Sequence, residues 1–344
     1  TAMNTIRVGF VGLGGICRSR HVPGLRRLDG VDIVAVANRT RESSERAAAQ
    51  FGIPEVCDSW QQIVERDDID AVFIGTWPYL HKDVSIAALN SGKHVFCQAR
   101  MARDLGEARA MHEAAQRSGR VAALCPVPIG LSVDATIARL LREDALGDIR
   151  LVRVQSFSDA FARPETPLHW RNDDRLSGLN MHTLGMYAEV IHRWFGWTWT
   201  VHAIAQTFTR TRLDAAGQPA RVNIPDQILF TAGMRAGFLV QYTISAAVHH
   251  GEEEIQIFGS EGSLVYDVND DALYGARAGE PLAPVEMRPG EACDLRDWPV
   301  EHDFIRAIRD GAEYHPDFLD GLKYMQVVQA VHDSAREGKT VMLD

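Results

Sequence analysis

Gly12-Leu13-Gly14-Gly15-Ile16-Cys17 directly follows the apolar run Ile6 to Val11 and opens a helix-like stretch. A glycine at the first position permits a tight turn from strand to helix. A second lets the backbone approach an anion, and the position after it needs a small residue where helix meets strand. Cys17 stands there, larger than glycine but compact. Gly12, Gly14, Gly15 and Ile16 are therefore expected to hold a pyrophosphate at a helix N-terminus, the chemistry of dinucleotide binding. The next strand, Val31 to Ala37, ends in Asn38-Arg39-Thr40-Arg41. A carboxylate at this point bonds a ribose 2′-hydroxyl, whereas a nearby arginine accommodates a 2′-phosphate. Asn38 repels no phosphate and Arg39 offers a planar guanidinium. NADP is the expected cofactor, with NAD possible.

The elements that must position this turn alternate regularly. Strands at 6–11, 31–37, 71–75, 94–97 and 121–124 interleave with helices at 16–28, 42–51, 60–66, 83–91 and 105–118. That order implies a doubly wound parallel sheet. The pattern changes after Cys125-Pro126-Val127-Pro128. A helix at 133–142 precedes β-rich segments at 149–156, 201–210, 227–232, 238–245, 254–259 and 263–268. A helix at 181–194 lies among them, and two more, near 300–310 and 317–337, close the chain. The expectation is a first domain over 1–124 and an α+β domain over 125–344 with a mostly antiparallel sheet.

The formal net charge of −10 and the lack of a basic run argue against nucleic acid or an anionic membrane as partner. Five cysteines without CxxC spacing read as reduced thiols. No stretch is apolar enough to span a bilayer, and no signal segment precedes Ile6, so the expected location is cytoplasmic. Thr1-Ala2 ahead of Met3 reads as residues added before a natural start. His249-His250 with Glu252 to Glu254 invites a metal reading. Adjacent residues on a strand point to opposite faces, so an edge strand with a charged turn is favoured and no metal is expected. Asp173-Asp174 reads as a solvated loop, Trp194, Trp197 and Trp199 as helix-end core, and Gly275 to Gly290 as a surface loop.

Four stretches resemble the glucose–fructose oxidoreductase / inositol dehydrogenase / rhizopine-catabolism (Gfo/Idh/MocA) family. They are the glycine turn; Thr76-Trp77-Pro78-Tyr79-Leu80-His81; Gly92-Lys93-His94-Val95-Phe96-Cys97; and Asp320-Gly321-Leu322-Lys323 through Ser334-Ala335-Arg336-Glu337-Gly338. Ile257 to Ser263 is also similar to the family's substrate-domain sheet. The resemblance runs nearly end to end. It implies an α/β chain with an N-terminal Rossmann domain and a C-terminal domain carrying a large open sheet. It also implies a polyhydroxylated small-molecule substrate and a homodimer or homotetramer built through that sheet. Thr76, Trp77, His81 and Gln98 are then expected near the cofactor, with His81 equally readable as a residue that fixes its own loop.

The chain departs from the family where chemistry is expected. The family's Glu-Lys-Pro is Gln98-Ala99-Arg100 here, and its Asp-x-Gly-x-His becomes Thr183-Leu184-Gly185-Met186-Tyr187. His182, Tyr187 and Arg100 are the candidate catalytic replacements. An imidazole titrates in the useful range, and a phenol needs a neighbouring cation to act as a base. His182 and Tyr187 would not share a face of one regular helix, so His182 is expected on the entering loop. Trp170, Arg171, Asn180 and Thr183 are candidates for substrate contact. The expected activity is hydride transfer to or from a carbinol carbon. The missing lysine and the Met181-His182-Thr183-Leu184-Gly185 stretch, which is similar to the NAD-dependent α-N-acetylgalactosaminidases, keep two alternatives open. One is a glycosidase, epimerase or lyase with tightly bound cofactor and no net redox turnover. The other is a non-catalytic ligand-binding protein.

Overall fold

A computed structural model describes residues 5–126, 131–291 and 298–344. The chain divides into two compact units, Thr1–Pro126 with Arg296–Leu322, and Val127–Leu295 with Lys323–Asp344. This differs from the single crossing expected near residue 124. Residues 298–322 return to the first unit because their aromatic side chains complete its core. Phe304 packs edge-on against Phe73 and Phe96, with centroids 5.3 and 5.4 Å apart. Tyr314 donates its hydroxyl to the Leu124 carbonyl at 3.1 Å. A helix's amphipathic pattern says that it joins a core, not which of two cores it joins.

In the first unit, strands β1 (Ile6–Val11), β2 (Val31–Ala37), β3 (Glu55–Val56), β4 (Ala71–Ile74), β5 (His94–Cys97) and β6 (Ala122–Leu124) form a parallel sheet. Its order is β3-β2-β1-β4-β5-β6. The chain order reverses beside β1, and β1 and β4 are almost wholly buried, as apolar runs covered on both faces must be. Helices α1 (Val22–Arg26), α2 (Arg41–Phe51), α3 (Trp60–Glu65), α4 (His81–Asn90) and α5 (Leu105–Ser118) connect the strands. Thr40, Ser59 and Asp104 cap α2, α3 and α5 by accepting first-turn N–H groups. The expected first helix is split. A five-residue π-helical segment, Cys17–His21, precedes α1.

The second unit is built on a nine-stranded mixed sheet. Its strands are β7 (Ile149–Phe157), β8 (Thr198–Gln206), β11 (Gln227–Met234), β12 (Leu239–Ser245), β13 (Glu253–Gly259), β14 (Gly262–Asp267), β15 (Ala272–Arg277), β16 (Ala283–Pro284) and β17 (Val341–Met342). A separate hairpin pairs β9 (Thr211–Leu213) with β10 (Pro219–Arg221). The sheet order is β16-β15-β14-β13-β7-β12-β11-β8-β17. Only β7 and β12 pair in parallel, and every other pair is antiparallel. Helices α6 (Asp134–Arg142), α7 (Asp174–Ser177) and α8 (Leu184–Phe195) belong to this unit. Gly185 lets α8 approach Tyr324 and Val328 of the last helix, Phe318–Glu337.

Several sequence expectations change here. Trp197 and Trp199 are not helix-end core. They are 39% and 42% exposed, lying under Lys323 and Arg235. His249-His250 falls in the turn between β12 and β13 rather than on an edge strand. The Gly275–Gly290 segment contains the end of β15 and all of β16. Among the described residues no helix is long and apolar enough to cross a membrane.

Candidate functional site

A cavity of about 810 Å³ opens in the first unit at the carboxyl ends of β1, β2 and β4. Gly12 turns the chain there at φ +80°, and a Cβ on it would stand 2.6 Å from Thr76 Cγ2 and 2.9 Å from Thr76 N. Only glycine satisfies both demands. A Cβ on Gly15 would meet nothing within 4 Å, so that backbone borders open space at a helix start, where N–H groups lack intrahelical partners. Ile16 continues this first turn. Thr76 Oγ1 is buried in the cavity wall with no hydrogen-bond partner among the described residues. A glycine cradle, an unused hydroxyl and a volume of this size fit a dinucleotide.

The second-strand residues divide their work. Asn38 accepts from the Leu13 N–H at 2.7 Å and donates to Ser43 O at 3.0 Å and Ser43 Oγ at 3.2 Å. Its side chain ties the glycine turn to α2, so it positions the cavity wall more than it reads a ligand. Arg39 is exposed on the rim, 5.8 Å from the Trp77 ring centroid, and makes no ion pair with a described residue. The other rim charges are spent. Arg18 bonds Leu13 O and Gln50, Arg46 pairs with Glu42, and Asp58 pairs with Arg41.

His81 does not reach a ligand. It is 0% exposed; Nε2 lies 3.0 Å from Thr76 O, and Nδ1 lies 2.9 Å from Arg100 O and 3.2 Å from Met101 O. Burial pushes its proton affinity down, against the opposing pull of these carbonyls. The ring clamps the loop after β4 to the loop after β5, which corrects its expected cofactor contact. Gln98 is half-buried at the end of β5, its backbone N–H on Ile74 O at 3.0 Å. Arg100 follows on the same loop.

Within the second unit, Tyr187 is 1% exposed, and burial first, then the Glu253 carboxylate, push its phenol far above the usual range. A carboxylate rather than a cation stands against it, so its expected role as acid or base is corrected to a structural one. Thr183 Oγ1 donates to Ser156 Oγ at 2.9 Å, and Ser156 Oγ donates to Glu253 Oε1 at 2.6 Å. Thr183, Ser156, Glu253 and Tyr187 thus form one polar network; Ser156 was not singled out in sequence, and Glu253 only as part of a charged turn. Alternation along β13 would have turned Glu253 toward the β7 neighbour with which it pairs, Ser156.

His182 takes a left-handed backbone (φ 48°) just ahead of Thr183, off the regular helix as expected. Its Nε2 lies 2.8 Å from Pro225 O and its ring packs 5.6 Å from Phe161. A carbonyl only accepts, so the imidazole donates to it from Nε2. The Arg171 guanidinium stacks 4.3 Å over Trp170, is held below its usual proton affinity by burial, and pairs with no described carboxylate. Asn180 is buried and donates to Ser177 O at 2.6 Å, a bond that closes the turn. Asp173 is no solvated loop residue, because it is buried, caps α7 and pairs with Arg175.

Residues 6–124 match the Gfo/Idh/MocA model described as an oxidoreductase family with an NAD-binding Rossmann fold, and residues 135–265 match a C-terminal domain model of the same family. Levoglucosan dehydrogenase of Pseudarthrobacter phenanthrenivorans is 25% identical, the match covering 87% of this chain and 86% of that protein. D-apiose dehydrogenase of Paraburkholderia graminis is 26% identical, covering 100% of this chain and 91% of that one. A solved structure of levoglucosan dehydrogenase in complex with NADH and L-sorbose has the same fold, with a TM-score of 0.88 at 23% identity over 99% of each chain. The glycine turn, the sheet order and both domain matches agree, and the chain belongs to the Gfo/Idh/MocA family as an NAD-binding oxidoreductase.

Proposed function

We propose that the chain moves a hydride to or from a carbinol carbon of a sugar, cyclitol or related polyhydroxylated molecule. The observation that carries this is the dinucleotide-sized cavity built on the glycine turn. The sugar class is supported by relatives named levoglucosan dehydrogenase, D-apiose dehydrogenase and, in Streptomyces antibioticus, dTDP-3,4-didehydro-2,6-dideoxy-alpha-D-glucose 3-reductase. When bound, the nicotinamide supplies the hydride acceptor or donor. His182 takes or returns the hydroxyl proton, its ring held by the Pro225 carbonyl. Trp170 and Arg171 offer an apolar face and a cation to the substrate. Arg39 favours NADP by pairing with a 2′-phosphate. A second copy of the chain covers the open sheet, where Ile204 and Leu229 face each other across β8 and β11 at 70% and 44% exposure.

A panel of sugars, sugar acids and cyclitols, followed by NAD(P)H absorbance, tests this reading. Turnover that is lost in His182→Asn supports it; absorbance changes that survive His182→Asn overturn the proton role. The second reading, a cofactor that is oxidised and reduced within one cycle, is favoured by Ala99 at the family's lysine position and by the buried Tyr187. Product formation without net absorbance change would select it.

A further inference from the structure

The first unit contains a buried polar chain that the dinucleotide cavity does not explain. His21, the last residue of the π-helical segment, is 0% exposed, and Glu301 is 2% exposed. His21 Nδ1 bonds Glu301 Oε1, and His21 Nε2 bonds the Gln98 side-chain amide nitrogen. Trp298 stacks on the imidazole at 5.5 Å, Phe96 meets it edge-on at 5.0 Å, and Phe73 lies at 5.6 Å. Gly24 leaves room for the acid, since a Cβ there would overlap Glu301 Oε2.

The order of donors along this chain follows from what each group can do. A carboxylate only accepts, so Nδ1 of His21 carries the proton. The neutral ring then has its lone pair on Nε2 and accepts from the Gln98 amide N–H. One amide hydrogen of Gln98 is thereby used on the protein side. No described residue engages Gln98 Oε1, and it is not among the buried atoms that lack partners. It stands at the carboxyl end of β5, the side of a doubly wound sheet where ligands bind.

We propose that Glu301 is a positioning residue that acts through His21 to orient the Gln98 amide, so that the chain presents a hydrogen-bond acceptor, not a donor, to a hydroxyl or amide of the bound dinucleotide. The proposal rests on dinucleotide binding in this unit. An amide can rotate by half a turn at little steric cost, so its direction must be set by partners that are themselves set. In Glu301→Gln the new amide can donate to Nδ1. The imidazole proton then moves to Nε2, and Gln98 turns its NH₂ outward.

The test is a double-mutant cycle read by fluorescence titration of NADH and NADPH. Glu301→Gln and Gln98→Ala each weaken binding about tenfold, the size of one hydrogen bond made or lost. The double variant binds no more weakly than either single one, because both act on the same atom. Losses that multiply, or parent-like binding in a folded Glu301→Gln, overturn the relay. Adding Gln98→Glu to Glu301→Gln transfers the carboxylate to the other ring nitrogen and restores an outward acceptor. Recovered affinity supports the proposal, and no recovery counts against it. Long-range proton–nitrogen NMR on unmodified protein with labelled histidine gives a readout that needs no cofactor. His21 protonated on Nδ1 alone is expected, and the Nε2–H tautomer or an imidazolium overturns the relay even if the dinucleotide reading itself fails separately.

Discussion

Replacing Arg39 by alanine should separate the two nicotinamide dinucleotides. Arg39 is the rim cation of the cavity whose guanidinium has no described acceptor, while Arg18 and Arg46 are held by Leu13, Gln50 and Glu42. Asp58, the acid on the same rim, pairs with Arg41 and does not compete for Arg39. A hydrogen bond to a charged group contributes about 1.5–3 kcal/mol. Arg39 is solvent-exposed, so the lower part of that range applies, and about 1–2 kcal/mol corresponds to roughly 5–30-fold in Kd. NADPH binding should weaken by that factor in Arg39→Ala, while NADH, without the phosphate, should change by less than about threefold. Loss of the cation over Trp77 acts on both cofactors alike, so it leaves the ratio untouched. The assay is paired fluorescence titration at low and high salt, and the NADPH advantage should narrow as salt screens the pair. Equal shifts for the two cofactors, or a parent protein that binds them equally, would refute the role assigned to Arg39.

Gly75→Ala should damage both stability and cofactor binding, because a Cβ there would overlap Gly12 O and Cys17 Sγ. A loss of about 1–3 kcal/mol is expected from such overpacking, visible as a lower Tm, and an unchanged Tm would contradict the packing. Tyr187→Phe should cost about 1–3 kcal/mol through the Glu253 network yet keep kcat within about threefold; a fall beyond ~10²-fold would reinstate the phenol as acid or base. His182→Asn should lower kcat by about 10²–10⁴-fold with little change in cofactor affinity. His94 should make folding pH-dependent. Burial, with Arg120 nearby, lowers its imidazole to about 4, and Nδ1 accepts the Val121 N–H at 3.1 Å. An unfolded chain binds that proton near pH ~6.5, so the stabilisation is complete above ~6.5 and is lost as the pH falls toward 4. Partial exposure limits it to about 1–2 kcal/mol. Urea midpoints at several pH values should fall less steeply in His94→Gln, and an unchanged slope would exclude His94 as the cause.

The sequence by itself determined the first unit's plan. Short apolar runs, capped helices and a glycine turn are local signals, and the structure places them in the expected parallel sheet with the cavity at Gly12. The resemblance read from the sequence also implies that Ala99, Thr183 and Tyr187 stand where the family has other groups. Tertiary structure decided what those groups and their neighbours can do. Tyr187 lost its acid–base role to a carboxylate 66 positions away, Glu253, and His81 lost its ligand role to carbonyls on another loop. The same holds for Glu301, 280 positions from the His21 it bonds. Spacing along the chain says nothing of such pairs. A side chain's proton affinity, accessibility and donor direction are set by whatever the fold brings within a few ångströms, and that distance is defined only once the unit that holds it has packed.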